Sequence, residues 1–212
     1  MTGRVLVANR GEIACRIIRS IHALGLEAVA VYSDADASSP HVLQADHAVR
    51  IGEAAAADSY LATQRIIDAA LATRADAIHP GYGFLSEDPD FVARLDELDI
   101  AWCGPTAHQI ATFGRKDAAR AIASECGVPL LPGTDVLADV DAALTAAETI
   151  GYPVIVKSTA GGGGIGMAIC DTADELRDAF SRVTHLSQAN FGSAAVFMER
   201  YLASARHVEV QV

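Results

Sequence analysis

The chain has 212 residues, of which 51% are apolar and 20% are charged, a composition typical of a globular protein. Its 16 basic and 27 acidic residues give a formal net charge of −11, which argues against duplex nucleic acid and anionic membranes as partners, because both attract basic surfaces. The four cysteines form no C-x-x-C pair, and the segment before Asn9 contains only a short apolar run. We therefore expect no disulfide framework, signal peptide or membrane anchor, and a cytoplasmic protein is the default expectation.

The first 112 residues alternate between predicted strands and predicted helices. The segment RVLVAN, residues 4–9, is short, apolar and β-branched, as expected of a buried strand, and apolar residues at helical spacing follow from Ile13 to Leu24. Further along we predict strands at 27–33, 47–51, 76–80 and 100–104, and helices at 59–73, capped by Asp58 or Ser59, and at 88–98. This alternation predicts one open α/β domain with a parallel sheet covered by helices.

The pattern changes from Gly114 onwards. We predict helices at 114–127, at 139–150 and from Thr172 to about 184, an extended segment at 128–133, and strands at 152–158, 167–170, 194–201 and 206–212.

A glycine-rich segment, KSTAGGGGIGM at residues 157–167, joins two of these strands. Gly161, Gly163 and Gly166 satisfy G-x-G-x-x-G, but a strand follows where a dinucleotide-binding turn requires a helix, and no lysine follows as in a Walker A loop. A hairpin remains, whose glycines would let backbone N–H groups approach a phosphate, with Lys157 adding a cation. The alternative is a flexible hairpin tip without a ligand.

Other residues also have two interpretations. Lys116, at a helix start, is either a phosphate contact or a solvated lysine, and Glu199, in FMERYL, either faces a base or marks the exit of a strand. His207 lies on the polar face of the alternating segment 206–212, a pattern that an ordinary half-exposed strand also explains. Tyr82 stands between two glycines in a strand-to-helix loop, where α/β proteins bind ligands or simply form a tight turn.

Five motifs occur together and in order: ANRGEIACRIIR, HPGYGFLSE, GYPVIVKSTAGGGGIGM, MERYL and ARHVEVQV. On these motifs the sequence resembles the biotin carboxylase domain of biotin-dependent carboxylases. The resemblance implies a Rossmann-like, pre-ATP-grasp domain at 1–112 and a partial ATP-grasp domain at 113–212, with a lid lobe at about 134–203. It also implies an ATP-dependent ligase that forms carboxyphosphate from ATP and bicarbonate and transfers CO₂ to biotin, with Mg²⁺ or Mn²⁺ required. The implied partners are a biotinylated carrier domain, a carboxyltransferase and a second copy in a homodimer.

The resemblance assigns roles to residues of this chain. Lys116 and Lys157 would contact the nucleotide, Gly163 and Gly164 would close over its phosphates, and Tyr82 would lie near biotin. The ATP site would further include the adenine-binding residues Glu199, Arg200, Tyr201 and Leu202, and also His207. Catalytic groups and metal ligands are expected beyond Val212, so we expect a fragment without turnover of its own.

Two positions in the glycine segment depart from many acyl-CoA carboxylases, which have glycine and arginine where this chain has Ala160 and Ile165. This segment, VYSDADASSPHV and NFGSAAVFMER are more similar to urea carboxylase, so we predict a urea carboxylase as the parent. The alternatives are an acyl-CoA or pyruvate carboxylase, another ATP-grasp ligase, a non-catalytic ATP-binding fragment and, least favoured, a dinucleotide oxidoreductase.

Overall fold

The structure, a computed structural model, describes residues 3–159 and 166–208, without the side chain of Phe191. The chain divides into two compact units, Met1–Gly114 and Arg115–Val212, which we call the first and second units. No helix of the described residues is long and apolar enough to cross a membrane.

The first unit contains a five-stranded parallel sheet in the order β3-β2-β1-β4-β5. Its strands are β1 (Arg4–Val7), β2 (Glu27–Ser33), β3 (His47–Gly52), β4 (Ala77–His79) and β5 (Ala101–Trp102). Its helices are α1 (Gly11–Ala23), α2 (Pro40–Gln44), α3 (Thr63–Thr73), α4 (Pro89–Glu97) and α5 (Ala107–Phe113).

Helices cover both faces of this sheet, which explains the continuous apolar run of β1. Successive side chains of a strand point to opposite faces, so Leu6 packs with residues of α3 and α4, whereas Val7 packs with residues of α1. Because β1 lies between β2 and β4, the loops that follow β1 and β4 leave the same edge of the sheet side by side. That edge is where open α/β sheets bind ligands.

The second unit contains a three-stranded antiparallel sheet in the order β7-β6-β8. Its strands are β6 (Val154–Ser158), β7 (Met167–Cys170) and β8 (Val196–Arg200), and its helices are α6 (Lys116–Glu125), α7 (Val140–Ile150) and α8 (Ala173–Phe191). One face of the sheet packs against α7 and α8 through Val154, Val156, Cys170, Val196 and Met198. Alternation therefore places Lys157 and Glu199 together on the opposite face.

Several predicted boundaries were wrong. α3 begins at Thr63 with Ala62 at its N-cap, so Asp58 and Ser59 lie too far upstream to cap it, and the Ser59 hydroxyl donates instead to Ala55 O. α8 continues past residue 184 to Phe191, where Gly192 ends it at a φ of 69°. The strand predicted at 100–104 forms a ladder only at Ala101–Trp102.

Two short helices, α2 and α5, were not predicted, although Thr106 and Gln109 form a capping box at the start of α5. The predicted final strand also differs, because residues 206–208 are not in a strand. Residues 209–212 of that prediction lie outside the described part of the chain.

Candidate functional site

Lys157 and Glu199 form an ion pair on the open face of the second unit's sheet. β6 and β8 pair with Ile155 opposite Glu199 and Lys157 opposite Phe197, so Lys157 and Glu199 are diagonal neighbours across the two strands. The Lys157 ammonium donates to Glu199 Oε2 at 2.6 Å. The side chains are 28% and 13% exposed, so the pair is partly shielded from water.

Arg120 of α6 binds the other oxygen of the same carboxylate. Its Nη1 donates to Glu199 Oε1, and its Nη2 donates to Leu131 O at 3.2 Å. The sequence analysis missed Arg120. Its position four residues after Lys116 puts both side chains on one helix face, which was the available signal.

Lys116, the first residue of α6, also lies within electrostatic range of this group. Burial and the nearby charge of Lys157 lower the pKa of Lys116, whereas Glu199 acts in the opposite direction. Three cationic side chains thus surround one carboxylate, and the surplus positive charge favours an anionic ligand.

The segment predicted to hold adenine continues from β8. The backbone N–H groups of Arg200 and Tyr201 donate to Pro132 O and Pro153 O at 2.8 and 2.9 Å, and Arg200 Nη1 donates to Ile150 O. Leu202 is half exposed, and its N–H has no acceptor among the residues that the structure describes. Of the three N–H groups, that of Leu202 is therefore the one open to a base edge.

The structure describes the two strands of the glycine hairpin, β6 and β7, whereas Gly163 and Gly164 lie outside the described residues. β6 and β7 are antiparallel and pair Lys157 with Met167, so a strand does follow the glycines. At the base of the hairpin, Ser158 Oγ lies 2.6 Å from the buried hydroxyl of Ser187 on α8. Ser187 donates onward to Ser193 O, which fixes this base to the end of α8.

His207 lies exposed in the segment that follows β8. Its role at the ATP site stays a prediction.

Tyr82 belongs to the first unit and lines a cleft of about 400 Å³ at the carboxyl ends of β1 and β4. The cleft is formed by residues 9–13 and 82–84. Tyr82 is 50% exposed, and its hydroxyl donates to Glu12, which raises the pKa of the phenol. The buried amide of Asn9 donates to Pro80 O at 2.7 Å and to Tyr82 O at 2.8 Å, so it holds the loop that carries the tyrosine.

A buried carboxylate, Asp36, lies behind this cleft and was not predicted. Arg10 binds it with two hydrogen bonds of 2.6 and 2.5 Å, and the Tyr60 hydroxyl donates to it at 2.7 Å. The Arg10 guanidinium holds the pKa of Asp36 well below its usual range. In many dinucleotide-binding folds an acidic residue after the second strand binds the ribose. Here the carboxylate of Asp36 is bound by Arg10 instead. Tyr60 also stacks on Phe84 at 5.1 Å, which connects Asp36 to the Tyr82 loop.

The described residues contain no group of three or more His, Cys, Asp or Glu side chains that would hold a metal ion.

The two units correspond to two known domain families. Residues 1–110 match the family model of the biotin carboxylase N-terminal domain, and residues 115–212 match that of the carbamoyl-phosphate synthase L chain ATP binding domain. The chain belongs to the biotin carboxylase family. This confirms the resemblance on which the sequence analysis relied.

Relatives in this family include carboxylases with different final acceptors. The chain is 46% identical to biotin carboxylase 1 of Bacillus subtilis, 49% to urea amidolyase of Saccharomyces cerevisiae and 47% to the methylcrotonoyl-CoA carboxylase alpha subunit of Glycine max. These matches cover 98–100% of the chain but 47%, 11% and 29% of the respective relatives. The chain thus spans about half of the Bacillus biotin carboxylase and less of the others.

Solved biotin carboxylases share the fold. The Campylobacter jejuni enzyme in complex with β,γ-ATP has a TM-score of 0.87 at 40% identity, covering 94% of this chain and 45% of that one. The biotin carboxylase domain dimer of Hydrogenobacter thermophilus 2-oxoglutarate carboxylase, with MgADP, ADP and bicarbonate, has a TM-score of 0.85 at 42% identity, covering 96% and 45%. The prediction of a Rossmann-like domain followed by ATP-grasp sequence is confirmed.

Proposed function

We propose that the protein to which this chain belongs carries out the ATP- and bicarbonate-dependent carboxylation of biotin. The observation that carries the proposal is the group around Glu199, in which Lys116, Arg120 and Lys157 converge at the base of the glycine hairpin in a biotin carboxylase fold. A surplus of positive charge next to glycine backbone is suited to a polyphosphate.

In this proposal Lys116 and Lys157 neutralise phosphate oxygens, and the backbone of Gly163 and Gly164 closes over them. A lysine about 4 Å from a phosphate oxygen gains roughly 4 kcal/mol per charge pair at an effective dielectric near 20, before desolvation. Glu199, Arg200, Tyr201 and Leu202 hold the adenine, for which the open N–H of Leu202 is a suitable donor, and His207 also lines the site. The residues of this chain act by positioning and by charge neutralisation.

Tyr82 is proposed to lie near biotin. Its half-exposed ring lines the cleft of the first unit, and Asn9 and Glu12 fix its backbone and its hydroxyl. Because the backbone and the hydroxyl of Tyr82 are both held, little side-chain conformational entropy is lost when a flat ureido group packs beside the ring.

Mg²⁺ or Mn²⁺ supplies charge neutralisation at phosphate oxygens in this type of chemistry. We propose, as the resemblance to biotin carboxylases implies, that the metal ligands and the catalytic groups lie in the rest of the protein. The 212-residue polypeptide by itself is then expected to be without turnover.

For the final acceptor we propose urea. The support is the sequence of the glycine segment, with Ala160 and Ile165, together with the 49% identity to a urea amidolyase. Acyl-CoA and pyruvate carboxylases are the alternative, since relatives of the former type are nearly as similar. The proposed partners are a biotinylated carrier domain, a carboxyltransferase and a second copy of the protein, in the cytoplasm.

The experiment measures ADP formation by the natural full-length protein with bicarbonate, with and without free biotin. Biotin-dependent ADP formation that requires bicarbonate is the expected result, and its absence would contradict the proposal. Urea, guanidine, acetyl-CoA, propionyl-CoA and pyruvate are then compared as acceptors. Stimulation by an acyl-CoA but not by urea or guanidine would overturn the acceptor and leave the biotin carboxylation intact.

A further inference from the structure

Arg120 and Lys157 bind opposite oxygens of Glu199, but the two cations are held differently. Arg120 has a second bond, to Leu131 O, and Gly133 packs so close that an added Cβ would lie 2.8 Å from Arg120 Nη2. Within residues 3–159 and 166–208, the Lys157 ammonium bonds only Glu199, and its side chain is 28% exposed. The two side chains are similarly exposed, at 22% and 28%, so the difference between them is that Arg120 is held at a second point and Lys157, among these residues, through Glu199.

We propose that Arg120 is a positioning residue that remains the counter-ion of Glu199 while Lys157 leaves that carboxylate for a phosphate of ATP. This inference rests on the proposed function, because it concerns the same nucleotide site. It assigns different tasks to the two cations: Lys157 contacts the ligand, and Arg120 acts through Glu199.

Glu199 needs a lasting counter-ion because its carboxylate is mostly buried. Glu199 is 13% exposed, and a mostly buried carboxylate that loses its hydrogen-bonded cations costs free energy that would reduce the affinity for ATP. With Arg120 on the other oxygen, Glu199 stays paired when Lys157 moves. Arginine suits this task better than lysine, because its guanidinium is always charged and presents several fixed donors.

The experiment compares Arg120→Met, Arg120→Lys and the matched control Arg115→Met in the natural full-length protein. Arg115 lies next to the same helix, and its side chain is 71% exposed in a pair with Asp117. We expect Arg120→Met to weaken ATP binding and raise the KM for ATP about 10-fold, the size of one charge-assisted hydrogen bond, with a smaller change in kcat. Arg120→Lys, which keeps the charge, should stay within about 3-fold of wild type, and Arg115→Met should match wild type.

A double variant separates positioning from a general structural role. In a Glu199→Gln background no carboxylate needs a counter-ion, so Arg120→Met should cause little further loss of ATP binding. Three results would each overturn the inference. ATP binding could be unchanged in Arg120→Met, or the losses in Arg120→Met and Arg120→Lys could be equal. The third is a loss of ATP binding from Arg120→Met that is as large in the Glu199→Gln background as in wild type. A wild-type protein that binds ATP but forms no ADP with bicarbonate and biotin would instead overturn the proposed function.

Discussion

Lys157 reaches diagonally across the sheet to Glu199, and their side chains meet at 2.6 Å although 42 residues separate them in sequence. The antiparallel register of β6 and β8 produces this meeting, because it places both residues on the face opposite α7 and α8. The same antiparallel register puts the adenine segment after β8 beside Pro153 at the start of β6, and the base of the glycine hairpin beside Ala195 at the start of β8. One strand pair therefore carries, at its opposite ends, the groups proposed for the two ends of a nucleotide.

Replacement of Lys157 by Met should weaken ATP binding by about 10- to 100-fold, because the site loses a cation proposed to contact phosphate. The effect should decrease at high salt, since screening reduces the contribution of a partly exposed charge. Equilibrium binding of ATP at two salt concentrations measures both effects. Arg177→Met, at an exposed position on α8, is the control, and equal affinities in the two variants would contradict the role of Lys157.

Replacement of Asn9 by Ala should destabilise the first unit by about 1–3 kcal/mol, because the carbonyl groups of Pro80 and Tyr82 lose a buried donor. Urea unfolding measures this change, and faster amide exchange in the loop 80–84 would show that the loop itself loosens. The matched control is Asn190→Ala, since the exposed Asn190 donates within its own helix, to Leu186 O. A loss of stability no larger than that of the control would mean that Asn9 does not hold the loop.

The sequence predicted most of the strands and singled out Lys116 and Lys157, but it did not predict the partners of the buried charges. β1, β2 and β6 were recognisable because strands covered on both faces, or at a sheet centre, are continuously apolar. Arg120 and Glu199 are 79 residues apart, and Arg10 and Asp36 are 26 apart, so no local pattern joins them. The end of α8 was missed because its last turns are polar, and only Gly192 marks the stop.

Asp36 should make the stability of the first unit depend on acid pH. Its folded-state pKa is depressed, chiefly by the hydrogen bonds from Arg10, so the ionised form stabilises the fold above the unfolded pKa of about 3.9. That contribution is lost progressively as the pH falls below about 4 towards the folded pKa.

The test compares wild type with Asp36→Asn by urea unfolding between pH 7 and pH 3. The variant should be less stable by about 2 kcal/mol at pH 7, and the difference should shrink below about pH 4. Asp68→Asn, at an exposed carboxylate of α3, controls for the loss of one negative charge and should change stability little. A difference between wild type and Asp36→Asn that is constant with pH would contradict the ion pair as its cause.

Replacement of Ser187 by Ala should loosen the base of the glycine hairpin. The variant removes a buried hydroxyl that bonds Ser158 and Ser193 O, at an expected cost of about 1–2 kcal/mol. Amide exchange should accelerate at Ser158 and Thr159, where β6 ends, while β1 in the first unit stays unaffected. Ser181→Ala, at an exposed position of the same helix, is the control, and identical exchange in both variants would exclude this anchoring role.

Gly133 is packed where no side chain fits. An added Cβ would lie 2.8 Å from Arg120 Nη2, 2.9 Å from Met198 O and 3.1 Å from Glu199 Cγ. Met198 O accepts the backbone N–H of Thr134, so this carbonyl cannot easily retreat, and the separate clash with Nη2 displaces Arg120. Gly133→Ala should therefore destabilise the second unit by about 1–3 kcal/mol and weaken ATP binding in the same direction as Arg120→Met.

Gly3→Ala is the matched control for this last variant. The Cβ added there would lie 3.2 Å from the end of the partly buried Leu26 side chain and would meet no backbone atom within 4 Å, so a smaller loss of stability is expected. Urea unfolding and equilibrium ATP binding are measured for both variants. If Gly133→Ala were as stable as Gly3→Ala and bound ATP as wild type does, then Arg120 would not be held by tight packing, and its assignment as the fixed partner of Glu199 would lose its structural basis.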